Sequence, residues 1–200
     1  MKESAVNEEA LMAAYKDGDR PAFDALFRSL APRIHGFFLR RFGDPAVADD
    51  LLQTTFMKVH RARRDYRDGA PVRPWIFTIA ARVGLDERRR RGRRPEDADE
   101  ARLEKATRAV ALERSTALDA VEHAELAKRV RAALDQLPES QRVVIHLHRY
   151  EGLTFDEIGK VLDSTEGAVK LRAFRAYEQL RKHLAPVMRE MKGILAEEAR

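Results

Sequence analysis

Apolar side chains recur at intervals of three and four residues along most of the chain, which places them on one face of an α-helix. In the first half, Gly18 with Pro21 and then the run Gly43-Asp44-Pro45 divide this pattern, and these residue types end and start helices. The pattern therefore predicts two helices before residue 43, a third over residues 46–64 and a fourth over residues 73–91. Residues 65–74 are rich in turn formers and separate the last two.

The same spacing returns in the second half of the chain. It predicts one helix that ends before Pro138 and three more over residues 140–150, 154–162 and 165–184. Between the halves, residues 95–100 contain four acidic side chains and no large apolar one. We therefore predict an all-α protein with two small helical domains, residues 11–94 and 121–185, joined by a flexible acidic linker at 95–120. Residues 1–10 form an N-terminal extension and residues 186–200 a C-terminal tail.

The composition agrees with helix and removes several classes of protein. The 200 residues include only 10 glycines and 8 prolines, which favours helix over strand. There is no cysteine, which excludes disulfide scaffolds, cysteine nucleophiles and cysteine-ligated zinc. No apolar run approaches the roughly 18 residues of a membrane span, and the N-terminus lacks a signal-peptide pattern. We therefore expect no membrane insertion.

Positive charge is concentrated in the first half of the chain. The formal net charge is only +5, but residues 11–94 hold 19 basic and 10 acidic side chains. Fifteen of those 19 bases lie between Arg40 and Arg94. Such a concentration favours a polyanionic partner, and a solvated arginine-rich helix end is the simpler alternative.

The clearest local pattern in the second half is a helix-turn-helix. The run Thr154-Phe155-Asp156-Glu157 has the form of a capping box, in which the threonine hydroxyl and the glutamate satisfy backbone N–H groups at a helix start. A short helix, the turn Asp163-Ser164-Thr165 and a longer helix follow. This order and spacing is typical of a DNA-binding helix-turn-helix.

The longer helix has an apolar arc and a basic face. Helical spacing predicts that the core arc comprises Val169, Ala173, Ala176, Tyr177, Leu180 and Leu184. Arg175 lies near the middle of the opposite face, and a guanidinium can bond both O6 and N7 of guanine, so Arg175 is the predicted base reader. Lys170, Arg172 and Lys182 flank it and suit phosphates. A basic solvent face on a bundle helix is the alternative.

An acid, an amide and an aromatic ring are neighbours on the predicted third helix. Asp49, Gln53 and Phe56 follow each other at four- and three-residue steps, with Asp50 beside them. Such a patch can dock a partner through charge and a buried ring. Alternatively, Phe56 belongs to the core and the acids favour the helix N-terminus.

Four sequence blocks together resemble the extracytoplasmic-function (ECF) sigma factors of bacterial RNA polymerase. Residues 49–56, DDLLQTTF, resemble their polymerase-binding helix. Residues 73–80, RPWIFTIA, followed by Leu85-Asp86 and the arginines, resemble their promoter-melting helix. Residues 134–139, LDQLPE, with residues 150–159, YEGLTFDEIG, resemble the start of their region 4, and residues 166–176, EGAVKLRAFRA, resemble its recognition helix. The blocks keep the expected order and separation over about residues 10–185.

The resemblance implies a cytoplasmic bacterial protein that is not an enzyme, needs no cofactor or metal, and directs core RNA polymerase to promoter DNA. It implies contacts with the β′ clamp coiled coil and the β flap, and control by an anti-sigma factor. It assigns polymerase docking to Asp49, Asp50, Leu51, Gln53 and Phe56. It assigns capture of the melted −10 nontemplate strand to Arg64, Tyr66, Arg67, Arg73, Trp75, Arg82, Arg88, Arg89 and Arg90. It assigns the −35 duplex to Arg142, Thr154, Lys170, Leu171, Arg172 and Arg175.

Three residues depart from the family pattern. Thr54 stands where the family often has an acid, which weakens one expected polymerase contact. Arg82 stands where an asparagine is common, and a cation lacks the paired donor and acceptor of an amide. Leu171 stands where a small polar residue is common, and it can meet a thymine methyl but not a phosphate. The promoter sequence therefore does not follow from the resemblance.

The sequence disfavours two other functions. An enzyme is disfavoured because the six histidines show no metal-site spacing and no catalytic motif is present. A DNA-binding regulator that does not dock on polymerase fits the helix-turn-helix alone, but leaves the Asp49–Phe56 and Trp75–Arg94 helices unexplained. In the tail, apolar residues at helical spacing predict a short extra helix that packs on region 4 or meets a regulator, with a frayed extension as the alternative.

Overall fold

The computed structural model describes residues 7–92 and 117–198, with backbone only for residues 117–125, 187–188 and 190–198. In these ranges the chain forms helices and no strand, which confirms the all-α prediction. The helices are α1 (Glu8–Lys16), α2 (Arg20–Phe42), α3 (Pro45–Ala62), α4 (Val72–Gly92), α5 (Ala117–Asp135), α6 (Glu139–Arg149), α7 (Phe155–Val161) and α8 (Glu166–Glu198), with a 3₁₀ turn at Arg63–Asp65.

The boundary between α2 and α3 follows from three residues in a row. Gly43 adopts a left-handed conformation (φ 69°), which lets its N–H bond the carbonyl oxygen of Leu39 and end α2. The Asp44 carboxylate then accepts the N–H of Ala46 at 2.9 Å, and Pro45 occupies the first position of α3. The helix boundary predicted at this run is confirmed.

Helices α1–α4 form the first unit, in which α2 packs against α1 and α3, and α3 packs against α4. Its core is rich in aromatic rings, because Phe37, Phe38 and Phe77 are fully buried. The Phe37 and Phe77 rings meet edge to face, with centroids 5.6 Å apart. Gly84 of α4 provides room for the buried guanidinium of Arg41, since a β-carbon at position 84 would lie 2.7 Å from Arg41 Nη1.

Helices α5, α6 and α8 form the second unit, whose core is aliphatic. Leu134 and Leu137 pack with Ile145 and Ala176, and the partly buried Val130 and Leu180 cover this cluster. The chain turns from α5 into α6 at Pro138, whose carbonyl oxygen accepts the N–H groups of the next turn. The predicted helix end before Pro138 is confirmed.

The chain order expected for a helix-turn-helix is also present. α7 begins at Phe155, so Thr154 stands at the N-cap position, and α7 has only seven residues. The following turn places Asp163 at φ 50° and is closed by a hydrogen bond from Ser164 N–H to the Gly159 carbonyl. Thr165 then caps α8 by accepting the N–H of Ala168 through Oγ1 at 3.2 Å.

The C-terminal tail differs from the prediction of a separate short helix. α8 does not end near residue 184 but continues through Pro186 to Glu198, a length of 33 residues. A proline within a helix removes one backbone hydrogen bond, but Pro186 does not end this helix. No helix in the described part of the chain combines the length and apolar character needed to cross a membrane.

Candidate functional site

An open groove of about 500 Å³ lies between α2 and α3 in the first unit. Phe56 forms its bottom, with its ring centroid 4.6 Å from that of Phe27. The exposed side chains of Gln53 and Met57 border it. Asp49 also borders the groove, and His35 Nε2 lies 3.3 Å from its carboxylate oxygen. The groove therefore combines an apolar bottom with polar and acidic margins.

Two residues of the expected docking set lie below this surface. Phe56 is 5% exposed and Leu51 is 7% exposed, so both belong to the core of the first unit. The predicted docking role of Leu51 is therefore corrected to packing, and Phe56 is accessible only at the bottom of the groove. Asp49, Asp50 and Gln53 are exposed, as a docking role requires. Thr55, which carries no predicted role, is buried and its hydroxyl donates to the Leu51 carbonyl.

The segment formed by the 3₁₀ turn and the loop that leads to α4 exposes two arginines and buries one ring. Arg64 and Arg67 are exposed. Tyr66 is 1% exposed, its hydroxyl donates to the Ala70 carbonyl, and its ring meets Trp75 edge to face at 5.3 Å. Direct stacking of Tyr66 on a base is therefore corrected to a core role, because its ring has no free face. Trp75 is half-buried.

The chemical environment of Tyr66 favours its neutral form. Burial raises the pKa of the Tyr66 hydroxyl above its usual value of 10, and the carboxylates of Glu9 and Asp68 raise it further. Tyr15 of α1 shares this direction: burial raises its pKa, and the nearby Arg63 opposes that shift. The Tyr15 hydroxyl lies 2.6 Å from His60 Nδ1.

Arg73, which the resemblance assigns to the −10 strand, is bonded to Glu8, an acid that lies outside the predicted first domain. Its Nε lies 2.8 Å and its Nη2 3.2 Å from the carboxylate oxygens of Glu8, a residue only 4% exposed. Glu8 also accepts the hydroxyl of Ser29 at 2.8 Å. Residues 8–10 were expected in the N-terminal extension, yet they form the first turn of α1. No spacing pattern signals this contact, because it joins residues 65 positions apart.

The C-terminal half of α4 presents a row of cations. Arg82, Arg88, Arg89 and Arg90 are exposed. The buried carboxylate of Glu87 accepts a hydrogen bond from Arg90 Nε at 2.9 Å and one from Arg91 Nε at 2.8 Å. Glu87 therefore fixes part of this row in place. The other predicted −10 cations of α4 remain on the surface as expected.

In the second unit, α8 separates a buried face from a basic face. Val169, Ala173 and Ala176 are at most 2% exposed, as the apolar arc predicts. Lys170, Leu171 and Arg175 are exposed and Arg172 is half-buried. Tyr177 is the exception to the predicted arc, since it is 37% exposed.

Two further residues of the expected −35 set lie outside α8. Thr154 is exposed. Arg142 is half-buried and bonded to acids, with Nη1 2.7 Å from Asp135 Oδ1 and Nη2 3.5 Å from Glu139 Oε2. A phosphate contact by Arg142 must therefore compete with these two carboxylates.

A second groove, of about 850 Å³, crosses the second unit between α5, α6 and α8. Phe174 is 62% exposed beside it, and Tyr150 and Tyr177 also present ring surface to solvent. Leu180 and Leu184 line its apolar wall. Three exposed rings next to one groove are an unusual arrangement for a small domain that has no partner.

Two family models match the chain. Residues 26–94 match sigma-70 region 2, and residues 127–180 match sigma-70 region 4. The RNA polymerase sigma factor CarQ of Myxococcus xanthus is 38% identical over 180 residues, which cover 90% of this chain and 99% of CarQ. The chain belongs to the ECF sigma factors.

Other similar proteins support this family assignment. The RNA polymerase sigma-H factor of Pseudomonas aeruginosa is 32% identical to this sigma factor over 190 residues, 92% of this chain and 96% of that protein. The structure of CnrH in complex with the cytosolic domain of CnrY has a TM-score of 0.66 and 26% identity, and covers 90% of this chain and 97% of CnrH. The fold also matches the sigma factor RpoE of Bartonella quintana, solved with the anti-sigma factor NepR, at a TM-score of 0.64 and 24% identity over 82% of this chain and 96% of that one.

The family places this sigma factor among regulators of transcription rather than among enzymes. Within residues 7–92 and the described part of the second half, no group of three or more histidine and acidic side chains is arranged to hold a metal ion. The individual DNA and polymerase contacts expected from the sequence remain predictions.

Proposed function

We propose that this sigma factor binds core RNA polymerase and directs it to promoters by reading −35 duplex DNA with α8 and capturing the melted −10 nontemplate strand with the first unit. The division of α8 into a buried face and a basic face is the observation that carries this proposal. Arg175 lies on the outer side of a helix whose opposite face is closed by Val169, Ala173 and Ala176. A helix anchored in this way can lay its free face into the major groove.

At the −35 element, Arg175 supplies the base contact. Its guanidinium can donate to O6 and N7 of one guanine, while Lys170 and Arg172 bind phosphates beside it. Lys170 first has to exchange its 2.7 Å ion pair with Glu166, an exposed pair whose free energy is small. Leu171 can contact a thymine methyl, and Thr154 with Arg142 contacts the DNA backbone.

At the −10 element, the first unit supplies cations and one partly accessible ring. Arg64 lies in the 3₁₀ turn and Arg67 in the loop after it, and Trp75 follows in the first turn of α4. Unstacked bases gain about 1–3 kcal/mol each by stacking on a ring, and guanidinium groups bind the phosphates between them. Arg82 and the row Arg88–Arg90 extend this cationic surface along α4, where they can hold the backbone of the melted strand.

Partner proteins are expected at the two grooves. Asp49 and Gln53 border the groove above Phe56, and the exposed Asp50 lies next to Asp49 in sequence. Basic and apolar groups of the β′ clamp coiled coil would suit this surface. The groove beside Phe174 suits the β flap or an anti-sigma factor, since an apolar helix would cover its rings. An anti-sigma factor is proposed here because RpoE of Bartonella quintana was solved in complex with one.

In vitro transcription with core polymerase over a random promoter library tests the proposal. We expect transcripts that start at a fixed distance from two recovered sequence elements, and none with core polymerase alone. Tight binding of the protein to duplex DNA without any start conferred on core polymerase would contradict the proposal and favour an independent DNA-binding regulator.

Docking is tested separately by binding to core polymerase. The variant Gln53→Ala, combined with Asp49→Asn, should weaken binding while leaving the fold unchanged, because both side chains are exposed. Asp86→Asn is the matched control, since Asp86 is an exposed acid of the first unit that lies on α4, outside the groove. Equal binding by the docking variant and the control would refute the assignment of this groove.

A further inference from the structure

Helix α1 forms hydrogen bonds with both ends of the loop that precedes α4. At the first end, Lys16 Nζ donates to the Tyr66 carbonyl at 2.9 Å and to the Asp68 carboxylate at 3.0 Å. At the second end, the Glu9 carboxylate accepts the N–H of Val72 at 3.3 Å. Glu8 binds the next residue, Arg73, through two hydrogen bonds. One nine-residue helix thus contacts the loop at its start and at its end.

These contacts add to the local hydrogen bonds of the loop, in which the Tyr66 hydroxyl and the Arg67 carbonyl both bond Ala70. The first N–H groups of a helix lack partners within the helix, and a side chain just before the helix usually accepts one of them. In α4 the N–H of Val72 finds its acceptor in α1 instead. The start of α4 is therefore defined by a helix that lies more than 60 residues earlier in sequence.

The chemistry of the Glu8–Arg73 pair makes this contact specific. The Glu8 side chain is 5% exposed, and it accepts from Ser29 as well as from Arg73. A buried carboxylate requires such partners, because an unpaired buried charge is strongly unfavourable. With both oxygens bonded, Glu8 holds the Arg73 guanidinium in one orientation.

We propose that α1 is a brace that holds the −10 loop in the conformation that captures DNA, with Glu8, Glu9 and Lys16 as positioning residues. This inference rests on the proposed function, because it gives the loop between Arg64 and Arg73 its role. It also changes the role of Arg73, which becomes a positioning residue acting through Glu8 rather than a direct contact with the strand.

Limited trypsin digestion of the full chain tests the brace without DNA. Arg64 in the 3₁₀ turn and Arg67 in the loop are exposed cleavage sites. The variant Lys16→Met should accelerate cleavage at both sites, measured by mass spectrometry, because the loop loses its hold at Tyr66 and Asp68. Lys58→Met is the matched control: it removes the same charge and one ion pair, to Asp86, elsewhere in the first unit. Equal cleavage in the two variants overturns the brace.

A second experiment tests whether the brace serves DNA capture. It measures binding of the reconstituted holoenzyme to a single-stranded oligonucleotide that carries the recovered −10 sequence. Lys16→Met should weaken this affinity on the order of tenfold, since two charge-assisted hydrogen bonds are lost. Affinity for core polymerase and for −35 duplex should match that of Lys58→Met. Accelerated cleavage with unchanged oligonucleotide affinity overturns the link between the brace and DNA capture.

A double-mutant cycle tests the role of Arg73. If Arg73 acts through Glu8, then Glu8→Gln and Arg73→Gln lower oligonucleotide affinity by the same factor, and the double variant lowers it no further. If Arg73 contacts DNA, Arg73→Gln is the weaker binder and its salt slope is shallower by roughly 0.7 to 1. That result overturns the positioning role. In vitro transcription with the unaltered holoenzyme comes before these measurements. If it initiates at no promoter, that result counts against the proposed function rather than against the brace.

Discussion

The two units of this sigma factor differ in how many of their aromatic rings are buried. In the first unit, Phe37, Phe38 and Phe77 are fully buried against one another. In the second unit, the fully buried side chains include Leu137 and Leu147, while three aromatic rings lie exposed beside a groove. The first unit thus buries most of its rings, and Phe27 at its groove is 37% exposed, whereas in the second unit all three rings that border the groove are exposed.

Because of this difference, buried rings should matter mainly for stability and exposed rings mainly for partner binding. A buried ring contributes through packing and transfer from water, so its removal is felt by the fold. An exposed ring contributes to folding only slightly, and its effect appears when a partner covers it. The chain contains one tryptophan, Trp75, and its fluorescence reports on the first unit alone.

The largest effect should come from the same substitution made in both units. Phe37→Ala should lower the free energy of unfolding of the first unit by about 3–5 kcal/mol, because a fully buried ring is replaced by a cavity. Phe174→Ala should change that of the second unit by less than about 0.5 kcal/mol. Urea unfolding followed by Trp75 fluorescence and by circular dichroism measures both. Comparable losses would abolish the contrast between the units.

Two glycines should respond with opposite signs. Gly84→Ala should destabilise the first unit by about 1–3 kcal/mol, because the added carbon would meet the buried Arg41 guanidinium and the Phe38 ring. Gly167→Ala, in the first turn of α8, meets no neighbouring atom within 4 Å and should stabilise the second unit by about 0.5–1 kcal/mol. Thermal unfolding of the two variants measures both changes in stability. Destabilisation by both substitutions would contradict the packing described for α8.

In the second unit, a basic side chain should matter for DNA and not for folding. Arg175→Ala should reduce discrimination among −35 sequences by about 1–3 kcal/mol and leave the unfolding curve unchanged. Arg181→Ala is the matched control, because Arg181 is an exposed arginine of the same helix, paired with Glu178. Competition binding with variant −35 duplexes measures the discrimination. An unaltered sequence preference in Arg175→Ala would remove it as the base reader.

The smallest effect concerns alkaline pH. The folded pKa of Tyr66 is raised above 10, so below pH 10 the hydroxyl is neutral in both folded and unfolded chains. Above pH 10 the unfolded chain releases the proton first, and the stability of the first unit should fall as pH rises. Tyr66→Phe should flatten this decline in Trp75-detected unfolding, with Tyr15 accounting for the remainder. An identical slope in the variant would exclude Tyr66 as a cause.

Helix positions could be predicted well because the signals are local. Gly43, Asp44 and Pro45 act on the backbone within a few residues, and the structure places a left-handed cap, an N-cap and a first helical residue where they stand. Similarly, the buried face of α8 at Val169 and Ala173 follows directly from helical spacing.

Burial of individual side chains could not be predicted in the same way. Spacing shows that Phe56 and Tyr66 lie near an apolar face, but not that Phe27 covers one and Trp75 meets the other. The extension of α8 through Pro186 also went against the usual effect of proline. The α1 contacts were missed for the same reason, because they depend on tertiary packing.

The bonds between α1 and the loop also set an order of events during synthesis. Lys16 and Glu8 meet partners that lie 50 and 65 residues later in the chain. Ribosomes add roughly 5–20 residues per second, so Glu8 leaves the ribosome roughly 3–13 s before Arg73 follows it. Until then, the acidic first turn of α1 has no cation from α4 to bind. The first unit therefore completes its fold only after the ribosome has released α4, although α1, its first helix, leaves the ribosome seconds earlier.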